Sequence, residues 1–127
     1  MTSPALEYPR SHRNAPGSAG RLCDLVAITV AAAFGVPLAE LRAATRRPRA
    51  IAFARQSAMY LAHVVFGLTL TEVGRAFGRD RTTAAHACEL IEGLRDDPEF
   101  DAVLDSLEHA CGSLGDIHAH STREVRP

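Results

Sequence analysis

The sequence predicts an all-α fold, a compact bundle of about six helices with a helix-turn-helix at its centre. Aromatic residues make up only 6% of the chain, Trp is absent and Ala is abundant, whereas a sheet would be built largely from β-branched and aromatic residues. Apolar residues also recur at helical spacing in successive stretches that end at Gly or Pro, residues that stop helices. At 127 residues the chain is long enough for one domain and too short for two well-buried ones.

Residues 1–18 contain three Pro, with Gly, Ser and Asn and no periodicity, and are expected to form a disordered arm. From Arg21 the pattern Leu22, Leu25, Val26, Thr29, Ala33 predicts a core helix that stops at Phe34-Gly35. Val36-Pro37 opens a short helix through Leu38 and Leu41, because Pro suits a first helical turn, and the TRRPR run over residues 45–49 forms a basic loop. The next helix runs from Arg49 to about Phe66. Its inward face is Ile51, Ala54, Ala58, Leu61, Ala62 and Val65, with Gln56, Ser57, Tyr60 and His63 opposite, Arg55 on the flank and Gly67 as the stop.

A short helix over Leu70–Phe77 turns inward Leu70, Val73, Ala76 and Phe77, and Gly78-Arg79 makes the turn after it. Asp80 is placed to cap the following helix by accepting the backbone N–H of Thr82 or Thr83. That helix continues through Ala84, Ala87, Cys88, Ile91 and Leu94 to Asp96-Asp97-Pro98. A last helix is expected from about Glu99 to Cys111, packed through Phe100, Val103, Leu104 and Leu107, with residues 112–127 as a second disordered tail. The folded domain therefore covers residues 19–111.

The net charge of −1 conceals a segregation of charge along the chain. From Arg42 to Arg81 there are eight Arg (42, 46, 47, 49, 55, 75, 79 and 81) against Glu72 and Asp80, 8 − 2 = +6, which marks a candidate phosphate surface. From Glu89 to Glu108 there are eight carboxylates against Arg95, 1 − 8 = −7, and this part should face away from a polyanion. All fourteen basic residues are Arg. A phosphate-binding loop of the Walker A type needs a Lys on the nucleotide phosphates, so that motif is excluded and no nucleotide or other cofactor is expected.

No apolar run approaches the roughly 20 residues that span a bilayer. The start, MTSPALEYPR, lacks the basic-then-apolar order of a secretory signal, so the chain is expected to be cytoplasmic. Cys23, Cys88 and Cys111 read as small hydrophobes rather than a disulfide framework. His109, Cys111, His118 and His120 match the spacing of no closed zinc site, and no metal is expected. Ser57 has no partner base at recognisable spacing, and Asp96-Asp97 lies in a turn signal, so no catalytic site is expected.

A short helix, a Gly-containing turn and a longer helix with a polar first turn form the pattern of a helix-turn-helix. With Ala84, Ala87, Cys88 and Ile91 inward, Arg81, Thr82, Ala85 and His86 point outward. Arg can donate twice to guanine O6 and N7, Thr can bond a base edge or phosphate, and a small Ala can lie against a thymine methyl. An ordinary helical hairpin with a well-capped start gives the same pattern.

The run IAFARQSAMYLAHVVFGLTLTEVGRAFGRDRTTAAHACELI, residues 51–91, preceded by RRPR, resembles the C-terminal DNA-binding domain (domain IV) of the bacterial replication initiator DnaA. The resemblance covers roughly residues 20–111 and implies a Trp-repressor-like helix-turn-helix that reads double-stranded DNA. It implies major-groove readers at Asp80, Arg81, Thr82 and Thr83, with Ala87 at a further contact position. The minor-groove arginine becomes Arg47, with Arg46 and Arg49 beside it in the same cluster. Arg55, Gln56, Leu70 and Thr71 match family positions near the phosphate backbone, and Arg79 is placed with them.

The chain also departs from the family pattern. Arg81 stands where the family usually has His, and Arg favours guanine. The turn has one Gly, Gly78, where two are common, and Glu89 replaces a usual basic residue. The family's initiators carry an ATPase domain of the AAA+ type before this module. Only about twenty residues without Lys precede it here, so ATP-driven origin opening is not expected of this chain by itself.

The functional expectation is sequence-specific duplex binding in the control of transcription or of replication initiation. A second class of function is a helical protein-interaction module that offers the acidic face 89–108 to a basic partner. Salt separates the two, because groove binding with roughly five phosphate contacts predicts a log–log slope of about −4 to −5.

Overall fold

The computed structural model describes residues 18–43 and 49–125, with side chains as far as Ser121. Among the described residues are six helices and no strand: α1 Ser18–Phe34, α2 Leu38–Leu41, α3 Arg49–Phe66, α4 Leu70–Ala76, α5 Arg81–Leu94 and α6 Pro98–Val125. Of the expected arm over residues 1–18, residues 1–17 lie outside them, as do the loop arginines Arg46 and Arg47, while Ser18 and Arg49 open α1 and α3.

Gly35, Gly67 and Gly78 follow α1, α3 and α4 with φ near +67°, the left-handed conformation that ends a helix and that Gly adopts without a Cβ penalty. α1 buries Leu22, Cys23, Val26, Ala27 and Val30, the stripe of a helix with one face on the core. α3 is the central element, packed between α1 and α5 with α6 against it, while α4 packs mainly on α5.

That central position overturns the expected polar face of α3. Ser57 and Tyr60 are buried with Ala58 and Leu61, because neighbours cover more of the helix than its apolar stripe. The Tyr60 hydroxyl is satisfied inside, donating to Glu92 Oε1 at 2.7 Å and accepting from Arg95 Nη1 at 3.1 Å. His63 Nδ1 donates to the Leu68 carbonyl at 2.7 Å and fastens the link from α3 to α4.

The expected disordered tail is likewise corrected. Residues 112–125 continue α6, and Gly112 and Gly115 lie on its buried side. A Cβ at Gly115 would stand 2.5 Å from Phe66 Cε1. Here Gly permits close approach between two packed elements instead of stopping the helix.

Candidate nucleic-acid interface

α4 begins with a capping box. Thr69 Oγ1 accepts from the Glu72 amide at 3.0 Å, and Glu72 Oε1 accepts from the Thr69 amide at 2.9 Å, so two donors at the helix start are satisfied reciprocally. The sequence reading missed this feature, although the T-x-x-E spacing of Thr69 and Glu72 is its signature.

After α4 the chain turns tightly. The Arg79 amide donates to the Gly74 carbonyl at 2.7 Å, and Gly78 takes φ +67°. A Cβ on Gly74 would lie 2.7 Å from the Arg79 carbonyl oxygen and 2.9 Å from that of Asp80, so this close crossing requires Gly. Asp80 then caps α5, its Oδ1 accepting from the Thr83 amide at 2.8 Å. This backbone hydrogen bond, with a further one from the Thr83 side chain, holds the Asp80 carboxyl below the ordinary carboxylate range.

The cap leaves Arg81, Thr82 and Thr83 exposed on the first turn of α5, with His86 exposed and Ala85 half-buried one turn on. Ala84 and Ile91 face the core, as does Ala87 at 3% exposure. The proposed base contact at Ala87 therefore does not fit its position: its methyl group packs inward.

The arginines of the +6 segment divide into groups. Arg49, Arg75 and Arg81 are exposed. Arg55 is only 8% exposed; its Nε donates to the Leu41 carbonyl at 2.8 Å, and its Nη2 to those of Glu40 and Ala43 at 3.3 and 3.5 Å. The guanidinium expected at phosphate is thus turned inward onto the exit of α2. Arg79 donates from Nη1 to the Phe77 carbonyl and from Nη2 to the Ala43 carbonyl, both at 3.0 Å. Arg42 donates to the Ala76 carbonyl at 2.7 Å, pairs with Asp24 and lies over the Phe77 ring. Of the other expected backbone contacts, Thr71 is exposed, and Gln56 and Leu70 are half-buried.

At the far end of α5 the charge reverses. Arg95 holds Asp101, Asp105 and Glu108 through Nε, Nη2 and Nη1, each at 2.6 Å. Burial works against its charge, yet the bonds to Asp101, Glu108 and Tyr60 outweigh this and raise its pKa above an already high ordinary value. Burial also pushes the thiols up, Cys23 to about 12 and Cys111 to about 11. Among the described residues no three His, Cys, Asp or Glu side chains gather as metal ligands. Nor is any helix among them long and apolar enough to cross a membrane.

The family described as the bacterial dnaA protein helix-turn-helix matches residues 23–91, more than half of the chain. The chain belongs to the bacterial DnaA helix-turn-helix family. It carries a DNA-binding helix-turn-helix of the DnaA C-terminal type within residues 23–91, a span that reaches from α1 into α5.

Two DnaA relatives show how far the likeness extends. The chain is 44% identical over 63 residues to the chromosomal replication initiator protein DnaA of Symbiobacterium thermophilum, covering 48% of this chain and 14% of that protein. It is 36% identical over 86 residues to the chromosomal replication initiator protein DnaA of Lachnoclostridium phytofermentans, covering 66% of this chain and 19% of that protein. The chain thus spans less than a fifth of the length of either DnaA relative.

Proposed function

We propose that this protein binds specific duplex DNA by laying the first turn of α5 in the major groove, and acts as a regulator at sites related to the box of the replication initiators. The carrying observation is the exposed run Arg81, Thr82, Thr83, held by the Asp80 cap on a helix whose approach to α4 requires Gly74. Arg81 reads guanine through its two-pronged donor, and Thr82 and Thr83 bond an adjacent base edge or phosphate. Arg47, flanked by Arg46 and Arg49, enters the minor groove; Gln56, Leu70 and Thr71 lie along the phosphate backbone. The interaction-module reading has less support, because Asp101, Asp105 and Glu108 already bind Arg95 and Glu92 already accepts from Tyr60.

The test is selection of bound duplexes from a random pool, repeated with the Arg81→Ala, Thr82→Ala double variant. The expected result is a sharp motif containing guanine that disappears in the variant. Arg81→Ala alone should weaken binding by about 1–3 kcal/mol and relax preference at one base pair, whereas Arg49→Ala weakens all sequences alike. A motif matching the initiator box assigns the protein to replication control, and a distinct motif assigns it to transcription. No enrichment sinks the DNA reading and favours the acidic interaction face.

A further inference from the structure

Two segments far apart in sequence exchange arginine-to-carbonyl bonds. Arg42, just after α2, reaches Ala76 at the end of α4 through Nη2 at 2.7 Å. Arg79, in the turn before α5, reaches back to Ala43 through Nη2 at 3.0 Å. Arg55 adds a third guanidinium beneath the first segment. Each contact uses a charged donor, the stronger kind of hydrogen bond, and two such contacts running in opposite directions define orientation as well as distance. The Arg79 fork also bridges two carbonyls, Phe77 and Ala43, which the single ammonium of Lys does not reproduce.

Arg79 adjoins Asp80, the cap of α5, so a bond that fixes Arg79 also fixes the entry to that helix. We infer that Arg42 and Arg79 are positioning residues: their reciprocal bonds lock the turn before α5 onto the exit of α2 and so fix the orientation in which the first turn of α5 meets the duplex. The inference rests on the proposed duplex reading for its purpose, but not for its geometry. It replaces the expected phosphate contact at Arg79, and the two roles differ in how binding responds to salt.

The experiment compares the unsubstituted chain with Arg79→Lys and Arg79→Gln, each purified in full, on the selected duplex over a salt series. Amide exchange is followed in the free proteins. The bracket predicts faster exchange of the Ala43 amide, which donates to the Glu40 carbonyl at 3.2 Å, in both variants. It also predicts binding weakened about tenfold or more at every salt concentration, the loss of one charged hydrogen bond, with an unchanged log–log slope. Wild-type affinity and exchange in Arg79→Lys would overturn the inference, as would a slope shallower by about one in Arg79→Gln, the mark of a lost phosphate contact. If the unsubstituted chain bound no duplex, the function proposed above would fall and the exchange result alone would decide the bracket.

Discussion

Arg95 Nη1 lies 2.6 Å from Oε2 of Glu108, and the two side chains are closed to solvent, 13% and 7% exposed. Arg95 ends α5, Glu108 sits in the middle of α6, and the Tyr60 hydroxyl from α3 joins the same guanidinium. One cation therefore ties together three helices.

Replacing Arg95 by Leu leaves Glu108 buried without its cation, and breaking a pair in this way destabilises by about 3 kcal/mol or more. The urea midpoint should fall accordingly. Adding Glu108→Gln to the Leu variant should recover part of the loss, since the buried charge is then gone. No recovery would show that the Arg95 stem, rather than its charge, supplies the stability.

Tyr60 sets a limit in alkali. Burial, and then its bond to Glu92, push its phenol from the ordinary 10 up to about 12. The folded state therefore keeps a proton that the unfolded state loses. The stability this group contributes is complete below pH 10 and is lost as the pH rises from 10 to 12. Phenolate absorbance should show one late-titrating tyrosine. The fall in urea midpoint across that window should shrink in Tyr60→Phe.

Gly74→Ala tests the helix crossing. The new methyl would meet backbone oxygens of Arg79 and Asp80 at 2.7 and 2.9 Å, atoms that move only if the turn itself moves. Overpacking of this kind destabilises by about 1–3 kcal/mol. Duplex affinity should drop together with the melting temperature, and a variant that melts and binds like the unsubstituted chain would contradict the crossing described.

Gly115→Ala tests the extended α6. Its methyl would press on Phe66 Cε1 and Cζ at 2.5 and 2.8 Å, and Phe66 is itself buried. A loss of about 1–3 kcal/mol is expected, and Phe66→Leu should relieve part of it in a double-variant cycle. Simple additivity would place residue 115 away from that ring.

The parts of the fold readable in sequence are those governed by local chemistry. Gly35, Gly67 and Gly78 end their helices because each adopts positive φ, and Asp80 caps α5 through an amide three residues away. Distant packing was not readable. Periodicity assigns α3 one apolar stripe, but it cannot reveal that Glu92 and Arg95 arrive to satisfy Tyr60 and so allow its burial. Local pattern ends the last helix at Cys111, whereas in the fold Gly112 is buried on α6 and Phe66 packs close against Gly115 one turn further on.

The candidate interface divides in the same way. Arg81, Thr82 and Thr83 follow from the cap and are exposed as expected. The basic tally counted Arg42, Arg55 and Arg79 as surface charge, while in the fold each one binds main-chain carbonyls. A sum over residue types records charge and says nothing of where the guanidinium points.

The opposed ends of α5 have an electrical consequence. At 1.5 Å per residue, its fourteen residues span about 21 Å, with Arg79 and Arg81 outweighing Asp80 at the start and the carboxylates around Arg95 at the finish. The peptide dipole of a helix is also positive at its start, so side chains and backbone add to a single electric dipole along the axis. A molecule with a net charge of only −1 consequently feels a torque near any polyanion, which rotates the first turn of α5 toward it before contact is made.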